Sequence, residues 1–286
     1  MRWRAEVNKH LGVESELVMR DELARLVPQL NMSDEVRYPI LGALYHAPGS
    51  IARHDAVAWG YARAADRYGV DIIQNCEVTG IRRKGGRVTG VETGKGFIAT
   101  GKIACAAAGH TSVVANMVGL RLPIESHPLQ ALVSEPLKPV LDCVVMSGSV
   151  HVYISQSDKG ELVMGAGLEP PISYAQRSSL HTIEEMMASV IELIPITSRL
   201  RMMRQWAGIV DTCPDASPII GKTPIEGFYI NCGWGTGGFK STPGAGWVYA
   251  HTIAHDAPHE INAPFTLERF STAALNAEHG AAAVAH

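Results

Sequence analysis

The sequence has no long apolar run, little excess charge and no closely paired cysteines. No segment reaches the roughly 18 to 20 consecutive apolar residues that a membrane span requires. Residues 1–12 contain basic side chains but no apolar stretch behind them, unlike a secretory signal. The net charge of −3 does not indicate a surface for polyanions. We therefore expect a soluble, cytoplasmic protein with no nucleic-acid partner and no membrane partner.

The chain also lacks the CxxC pairs of disulfide frameworks and zinc sites and the HExxH motif of zinc enzymes. Five cysteines are an odd number, are widely spaced and form no CxxC pair, which favours a reducing compartment. They are Cys76, Cys105, Cys143, Cys213 and Cys232. We expect no metal site, and the absence of a GxSxG motif gives a hydrolase little support. Most histidines are interpreted as surface or core residues: His127, His151, His181, His251 and His255.

The first part of the chain has an α/β pattern. Residues 18–30 have the spacing of a short amphipathic helix that ends near Pro28. Residues 54–69 have an apolar stripe at helical spacing, with Gly69 well placed to end the helix. A series of short strands follows and closes with the apolar run before Gly109. Helices that lead into such strands predict an α/β arrangement.

The middle of the chain is rich in strands. Residues 127–169 predict several strands, with a hairpin turn at the SDKG sequence. A helix is predicted over 175–194, ended by Pro195. Strands return after residue 204, and the WVYAHTIAHDA sequence is apolar enough to form a buried helix. The chain is thus expected to leave one domain near residue 111 and re-enter it near 205, with a frayed tail over 276–286.

A glycine-rich segment over 233–246 is the most informative part of the sequence. Four glycines in six residues, placed between a buried strand and a helix, allow the backbone to approach a ligand closely. Lys240 lies among apolar neighbours, where a lysine usually has an anionic partner such as a substrate carboxylate. The alternative is a flexible loop with a solvated lysine. A phosphate loop is excluded because the spacing does not match GxxxxGK[ST].

The sequence GWGTGGFKSTPGAG, which follows the segment Trp206–Gly221, resembles the C-terminal flavin motif of the D-amino-acid oxidase and sarcosine oxidase superfamily. The resemblance implies that the glycine-rich segment and Phe239 contact the flavin and that Lys240 binds the substrate carboxylate. The implied loop contacts are Gly235, Gly237 and Gly238. Ala108 and Gly109 match a strand-end AAG that approaches FAD, and His110 would lie near it. Val78 matches a valine whose backbone meets the adenine.

The sequence ARHDAV resembles the beta subunit of heterotetrameric sarcosine oxidase, in which a histidine carries covalent FMN. The resemblance implies that His54 forms the covalent link and that Arg53 contacts the FMN phosphate or ring. A nucleophilic imidazole is required for the bond to the 8α carbon of the flavin. The alternative interpretation is that His54 and Asp55 simply begin a helix, with Asp55 favourable at its positive end.

One expected feature of the family is missing from this sequence. Relatives begin with a βαβ unit that carries GxGxxG and holds the FAD pyrophosphate, whereas residues 1–60 contain no such motif. We therefore expect a chain that lacks the N-terminal nucleotide-binding segment. It is either a fragment or a chain whose missing unit is supplied by another polypeptide.

The resemblance implies an α/β (α+β) fold in which a partial FAD-binding domain (1–110 and 205–275) is interleaved with an antiparallel substrate domain (111–204). It also implies oxidation of sarcosine at noncovalent FAD, with electrons passing to covalent FMN and then to oxygen, which becomes hydrogen peroxide. The implied partners are alpha, gamma and delta subunits. Two alternatives stay open: a related subunit that oxidises another amine, such as dimethylglycine or proline, and an inactive fragment that only binds partner subunits.

Overall fold

The computed structural model describes residues 1–276, in which helices and strands are mixed along the chain. The helices are α1 Arg2–His10, α2 Arg20–Leu26, α3 His54–Arg67, α4 Thr111–Asn116, α5 Leu180–Leu193 and α6 Gly238–His255. The strands are β1 Glu16–Met19, β2 Gly42–Tyr45, β3 Val78–Lys84, β4 Arg87–Thr93, β5 Gly96–Ala99, β6 Ile103–Cys105, β7 Glu125–Pro136, β8 Val145–Ser147, β9 Val152–Gln156, β10 Glu161–Ala166, β11 Met202–Thr212, β12 Ile219–Lys222 and β13 Phe228–Cys232.

The strands of this part of the chain form four sheets. The largest is antiparallel, with five strands in the order β11-β7-β10-β9-β8. A smaller sheet has the order β12-β13-β6, in which β13 runs parallel to β6 and antiparallel to β12. A three-stranded meander joins β3, β4 and β5, and β1 pairs with β2. The mixture of a parallel pair with antiparallel sheets confirms the predicted fold class.

The five-stranded sheet and α5 enclose the larger core. Side chains of the sheet, such as Ile154 and Leu162, are fully buried against Met186 and Val190 of α5. Ser179 caps α5 because its hydroxyl accepts a hydrogen bond from the Thr182 N–H, and Pro195 follows the last turn. The same core includes side chains from β1 and α2, so this early part of the chain packs against the antiparallel sheet.

The smaller sheet is covered on both faces. Alternation along β13 directs Phe228 and Ile230 into one cluster, with the buried residues around α4, and Tyr229 into another, with α6. Tyr249 of α6 also donates a 3.2 Å hydrogen bond to the carbonyl of Cys105 in β6. A parallel strand pair is normally buried in this way. The sheet is therefore a firm platform for the segments that leave its strands.

Three predicted helices begin at other residues, and the helix predicted over 175–194 is α5, which begins at Leu180. Val18 and Met19, expected to be helical, lie in β1, where Val18 pairs with Ala43 and is 1% exposed. Pairing with β2 therefore delays α2 to Arg20. The last helix begins at Gly238, nine residues before the predicted start at Trp247, and contains Pro243. The prediction was wrong because the glycines were interpreted as loop residues throughout.

The helix α3 forms as predicted but packs differently. It ends before Gly69, whose φ of +80° suits a helix end, yet none of its residues is buried. Trp59 is 56% exposed and Tyr68 is 89% exposed. The predicted series of short strands begins only at Val78, and the apolar side chains of residues 70–77 are half-exposed. The chain thus presents an uncovered apolar face along α3 and the segment that follows it.

Several other expectations can be compared with the structure. The SDKG turn joins β9 to β10 as an antiparallel hairpin, as predicted. The five cysteines are free thiols. Within residues 1–276, no helix combines the length and apolar character needed to cross a membrane. The predicted domain boundaries stay predictions, and most of the predicted frayed tail, residues 277–286, lies outside the described residues.

Candidate active site

The two glycine-containing segments singled out in the sequence follow the carboxyl ends of adjacent parallel strands. The short helical turn Ala108–His110 comes directly after β6, and the loop 233–237, called here the glycine loop, comes directly after β13. Ligands of α/β sheets bind at the carboxyl ends of parallel strands. The topology therefore brings Gly109 and the glycine loop to the same edge of the small sheet.

The antiparallel sheet contacts Gly109 at this edge. A Cβ atom at position 109 would collide with the side chain of Ile209 on β11. The Ser126 hydroxyl on β7 donates a 2.6 Å hydrogen bond to the Gly109 carbonyl. The preceding residue, Ala108, has a φ of +46°, which is costly for a residue with a side chain and is held by these contacts. Glycine is thus required at 109 for close packing.

The glycine loop is held by Asp211 at the end of β11. The Asp211 carboxylate accepts a 2.6 Å hydrogen bond from the Gly233 N–H, and its backbone carbonyl accepts a 2.8 Å bond from the Gly235 N–H. Gly233 and Gly235 have φ values of +74° and +53°, which glycine adopts without cost. Asp211 is 3% exposed. The sequence analysis did not identify this contact.

Trp234 fixes the junction between the glycine loop and α6. Its indole N–H donates a 2.6 Å hydrogen bond to the Asn231 side-chain oxygen. A Cβ atom at Gly238 would lie 2.9 Å from the Cβ of Trp234, so a side chain there would displace the indole. Gly238 therefore has a packing role in addition to the ligand contact that the resemblance implies.

The first turn of α6 is suited to an anion. No side chain caps it, so its N–H groups and the positive end of the helix dipole are available. Lys240 is the third residue of the helix and is exposed, with Nζ 3.5 Å from the position of a Cβ on Gly237. Within residues 1–276, no carboxylate forms an ion pair with it. Phe239 beside it is 51% exposed.

The thiol of Cys213 lies on the inner side of the glycine loop. A Cβ at Gly233 would collide with its sulfur. Burial raises the pKa of the Cys213 thiol to about 12, so it is uncharged at neutral pH. The small cavity between Cys213 and the loop has a volume of about 10 Å³, room for about one water molecule. Cys213 is therefore a packing residue and not a nucleophile.

His54 and Arg53 lie at the start of α3 and are exposed. An Arg53 guanidinium nitrogen is 3.4 Å from the Asp55 carboxylate. The backbone N–H of Ala56 and then Arg53 hold the pKa of Asp55 below its usual value. No hydrogen bond of the described chain joins His54 to the glycine loop. The imidazole is thus accessible at a helix start, between a cation and an anion.

Two further predicted residues, Val78 and His110, do not belong to the glycine loop. Val78 begins β3 in the separate meander, where it is half-buried and pairs with Thr93. The His110 ring lies 5.1 Å from the Tyr174 ring, next to Gly109. A wide cleft of about 2160 Å³ lies between α4 and the segment 266–271, and its lining does not include Lys240, Gly109 or His54.

Three histidines lie close together at the end of α6 and just after it. His251 and His255 are one helical turn apart and their rings stack at 4.1 Å, with the His259 ring 5.0 Å from His251. The interpretation of His251 and His255 as surface or core residues overlooked their i,i+4 spacing. In the described part of the chain, no group of three histidine, cysteine or acidic residues is arranged to hold a metal ion.

Comparison with known proteins agrees with this arrangement. The profile of the family described as "FAD dependent oxidoreductase" matches residues 1–252. The chain therefore belongs to the FAD-dependent oxidoreductase family. It is 57% identical over 283 residues to sarcosine oxidase subunit beta of Arthrobacter sp, covering 99% of this chain and 70% of that protein. It is 53% identical over 279 residues to sarcosine oxidase subunit beta of Rhodobacter capsulatus, covering 98% of this chain and 67% of that protein.

The solved structures agree at the level of the fold. The structure of L-proline dehydrogenase from P. horikoshii superposes with a TM-score of 0.87 at 26% identity, covering 95% of this chain and 72% of that one. The resemblance found in the sequence is thus confirmed, and the chain is related most clearly to beta subunits of sarcosine oxidase among these proteins.

The residues of the site fit the flavin of this family. An uncapped helix start, a glycine loop with two positive φ values and an adjacent glycine turn leave space and N–H donors for an anionic, planar ligand edge. The first three N–H groups of α6 belong to Gly238, Phe239 and Lys240. Such donors stabilise charge that accumulates on the ring during reduction.

Proposed function

We propose that this chain oxidises sarcosine to glycine and a one-carbon unit, with formation of hydrogen peroxide, as a beta-type subunit of a larger oxidase. The single observation that carries the proposal is the position of Lys240. Among residues 1–276 it has no ionic partner, and it lies at the uncapped start of α6, directly after the glycine loop. The 57% and 53% identity to sarcosine oxidase beta subunits supports sarcosine as the substrate.

Lys240 binds the carboxylate of the substrate and so orients its N-methyl group. Bound FAD would supply the acceptor for the hydride equivalent from a C–H bond of the N-methyl group, and the two electrons would pass through FMN to oxygen. The oxidised amine loses its one-carbon unit as formaldehyde on addition of water, and two protons and two electrons reduce oxygen to hydrogen peroxide. The contribution of this chain is to hold the carboxylate and to exclude other orientations.

The uncovered surface of the chain supports an assembly. In the described part of the chain, β6 has a neighbour in the small sheet on one side only, and α3 has no buried residue. A βαβ unit that adds a parallel strand beside β6 and covers α3 would complete an FAD-binding domain. Partner subunits of the alpha, gamma and delta types complete the enzyme in this proposal.

We propose further that His54 carries covalent FMN. A chain expressed with its partner subunits is expected to show flavin absorbance after acid precipitation and an intact mass increased by one FMN. His54→Ala should lose the increment and the acid-stable absorbance together, because only an imidazole nitrogen at that position forms the bond. Intact mass spectrometry measures both.

His181→Ala is the matched control, since His181 is another exposed histidine at the start of a helix. It should keep the full FMN increment. An increment that persists in the His54→Ala protein would disprove the assignment, and a wild-type complex of unmodified mass would do the same.

The choice among substrates can be tested with a panel of amines. Initial rates with sarcosine, dimethylglycine and proline are compared in the complete complex. Sarcosine should have the highest kcat/KM. A higher value for proline would favour the alternative substrate, and flavin-free complexes with intact subunit binding would favour the inactive, partner-binding chain.

A further inference from the structure

We infer that Asp211 is a positioning residue, which sets the glycine loop and Lys240 relative to the Gly109 turn. This inference rests on the proposed function, because it assigns the loop to flavin and substrate binding. Asp211 belongs to the five-stranded antiparallel sheet, whereas the glycine loop and the Gly109 turn follow strands of the small sheet. Asp211 therefore connects the two sheets at the position of the proposed site.

Asp211 and Ile209 point to the same side of β11, because alternate residues of a strand share a face. Ile209 touches Gly109, and Asp211 holds Gly233 and Gly235. One strand thus contacts both proposed flavin segments, two residues apart. This separation of about 7 Å is fixed by the rise of an extended chain.

The strand that carries these contacts is itself rigid. β11 pairs with β7 continuously from Arg204 to Thr212, and Asp211 lies opposite Ser126. The hydroxyl of Ser126 is the group that donates to the Gly109 carbonyl. Both strands of the pair therefore contact the segments that carry the proposed site. A displacement of the glycine loop would break its contacts with this rigid strand pair.

A carboxylate is suited to this position by its acceptor oxygens. Asp211 is buried, and within residues 1–276 no cationic side chain forms an ion pair with it. Its charge is stabilised by the short hydrogen bond from the Gly233 N–H, which is stronger than a bond between neutral groups. Asparagine preserves one acceptor oxygen and the shape of the side chain, and alanine preserves neither.

Hydrogen exchange and steady-state kinetics on the complete complex test the inference together. In Asp211→Ala, the Gly233 amide should exchange at least roughly 10-fold faster, since its side-chain acceptor is lost. The Gly235 amide keeps its backbone acceptor and should change less. The KM for sarcosine should rise roughly 10- to 100-fold at unchanged FAD content, because a displaced lysine binds the carboxylate poorly. Asp211→Asn should keep most of the amide protection and should have a KM close to the wild-type value. It is also the variant to measure if the alanine variant fails to fold.

Asp256→Asn is the control variant, since Asp256 anchors the opposite end of α6 through Lys222 and Tyr229. It should leave loop exchange and KM unchanged. An Asp211→Ala complex with wild-type loop exchange or wild-type KM would overturn the positioning role. If the wild-type complex does not oxidise sarcosine, the proposed function fails, while the exchange experiment still decides whether Asp211 anchors the loop.

Discussion

Lys240→Met is expected to lower kcat/KM for sarcosine by roughly 100- to 1000-fold in the complete complex. The expected loss corresponds to about 3 to 4 kcal/mol, in the range found when one partner of a desolvated charge pair is removed. Methionine preserves much of the aliphatic length but provides no positive charge. The effect should appear mainly in KM, because the proposed contact of Lys240 is with the carboxylate, a part of the substrate that does not change charge during oxidation.

A carboxylate-free substrate distinguishes this explanation from general damage to the site. The wild-type complex should prefer sarcosine to its methyl ester, and Lys240→Met should lose most of that preference. Lys222→Met is the control, because Lys222 forms an exposed pair with Asp256 at the other end of α6. An unchanged kcat/KM in Lys240→Met, or an equal loss in Lys222→Met, would contradict the assignment.

Arg269→Met is expected to lower the free energy of unfolding by about 3 to 5 kcal/mol, because it leaves a buried carboxylate without its partner. The Arg269 and Asp215 side chains are 3% and 2% exposed, and their atoms approach to 2.7 Å. Arg269 also donates to the carbonyls of Thr266 and Ser217, so it ties the C-terminal segment to the strand region. Denaturant titration of the isolated chain and of the assembled complex measures the change in the free energy of unfolding.

The control for this variant is the exposed pair of Lys9 and Glu6. Lys9→Met should change the free energy of unfolding by less than about 1 kcal/mol, because exposed pairs contribute little. The double variant Arg269→Met with Asp215→Leu should recover part of the loss, since no buried charge remains. A loss in Arg269→Met as small as that in Lys9→Met would contradict the account.

The same pair predicts the direction of the pH dependence. Burial alone would raise the pKa of Asp215, but hydrogen bonds from Arg269 and the Asn276 backbone outweigh it and hold the pKa below its usual value. A carboxyl group whose pKa is lower in the folded state stabilises the fold above its unfolded pKa, near 4. This contribution is lost as the pH falls through the folded pKa. The wild type should therefore lose stability below about pH 4 more steeply than the double variant.

The sequence was sufficient to single out candidate site residues but not the residues that hold them in place. Lys240 and the glycine loop could be identified because glycine spacing and an isolated lysine are local signals. Asp211 could not, since its role depends on a loop 22 residues away that only the tertiary fold brings to it. The polar residue that interrupts an apolar face after Ala207 and Ile209 was the one available signal.

The helix boundaries show the same limit. The start of α2 was predicted too early because strand pairing with residues 42–45 overrides the helical spacing of Val18 and Met19. The start of α6 was predicted too late because its glycines and Pro243 have poor helix propensity, and contacts such as that of Trp234 with Gly238 stabilise the first turns. In both cases tertiary packing outweighed local preference.

Anaerobic addition of sarcosine to the complete complex tests the central claim most directly. The account predicts that sarcosine bleaches the flavin absorbance, that glycine and formaldehyde appear in equal amounts, and that oxygen restores the absorbance with formation of hydrogen peroxide. A flavin-loaded complex that sarcosine leaves oxidised would contradict the proposed function, whether or not proline or dimethylglycine reduces it.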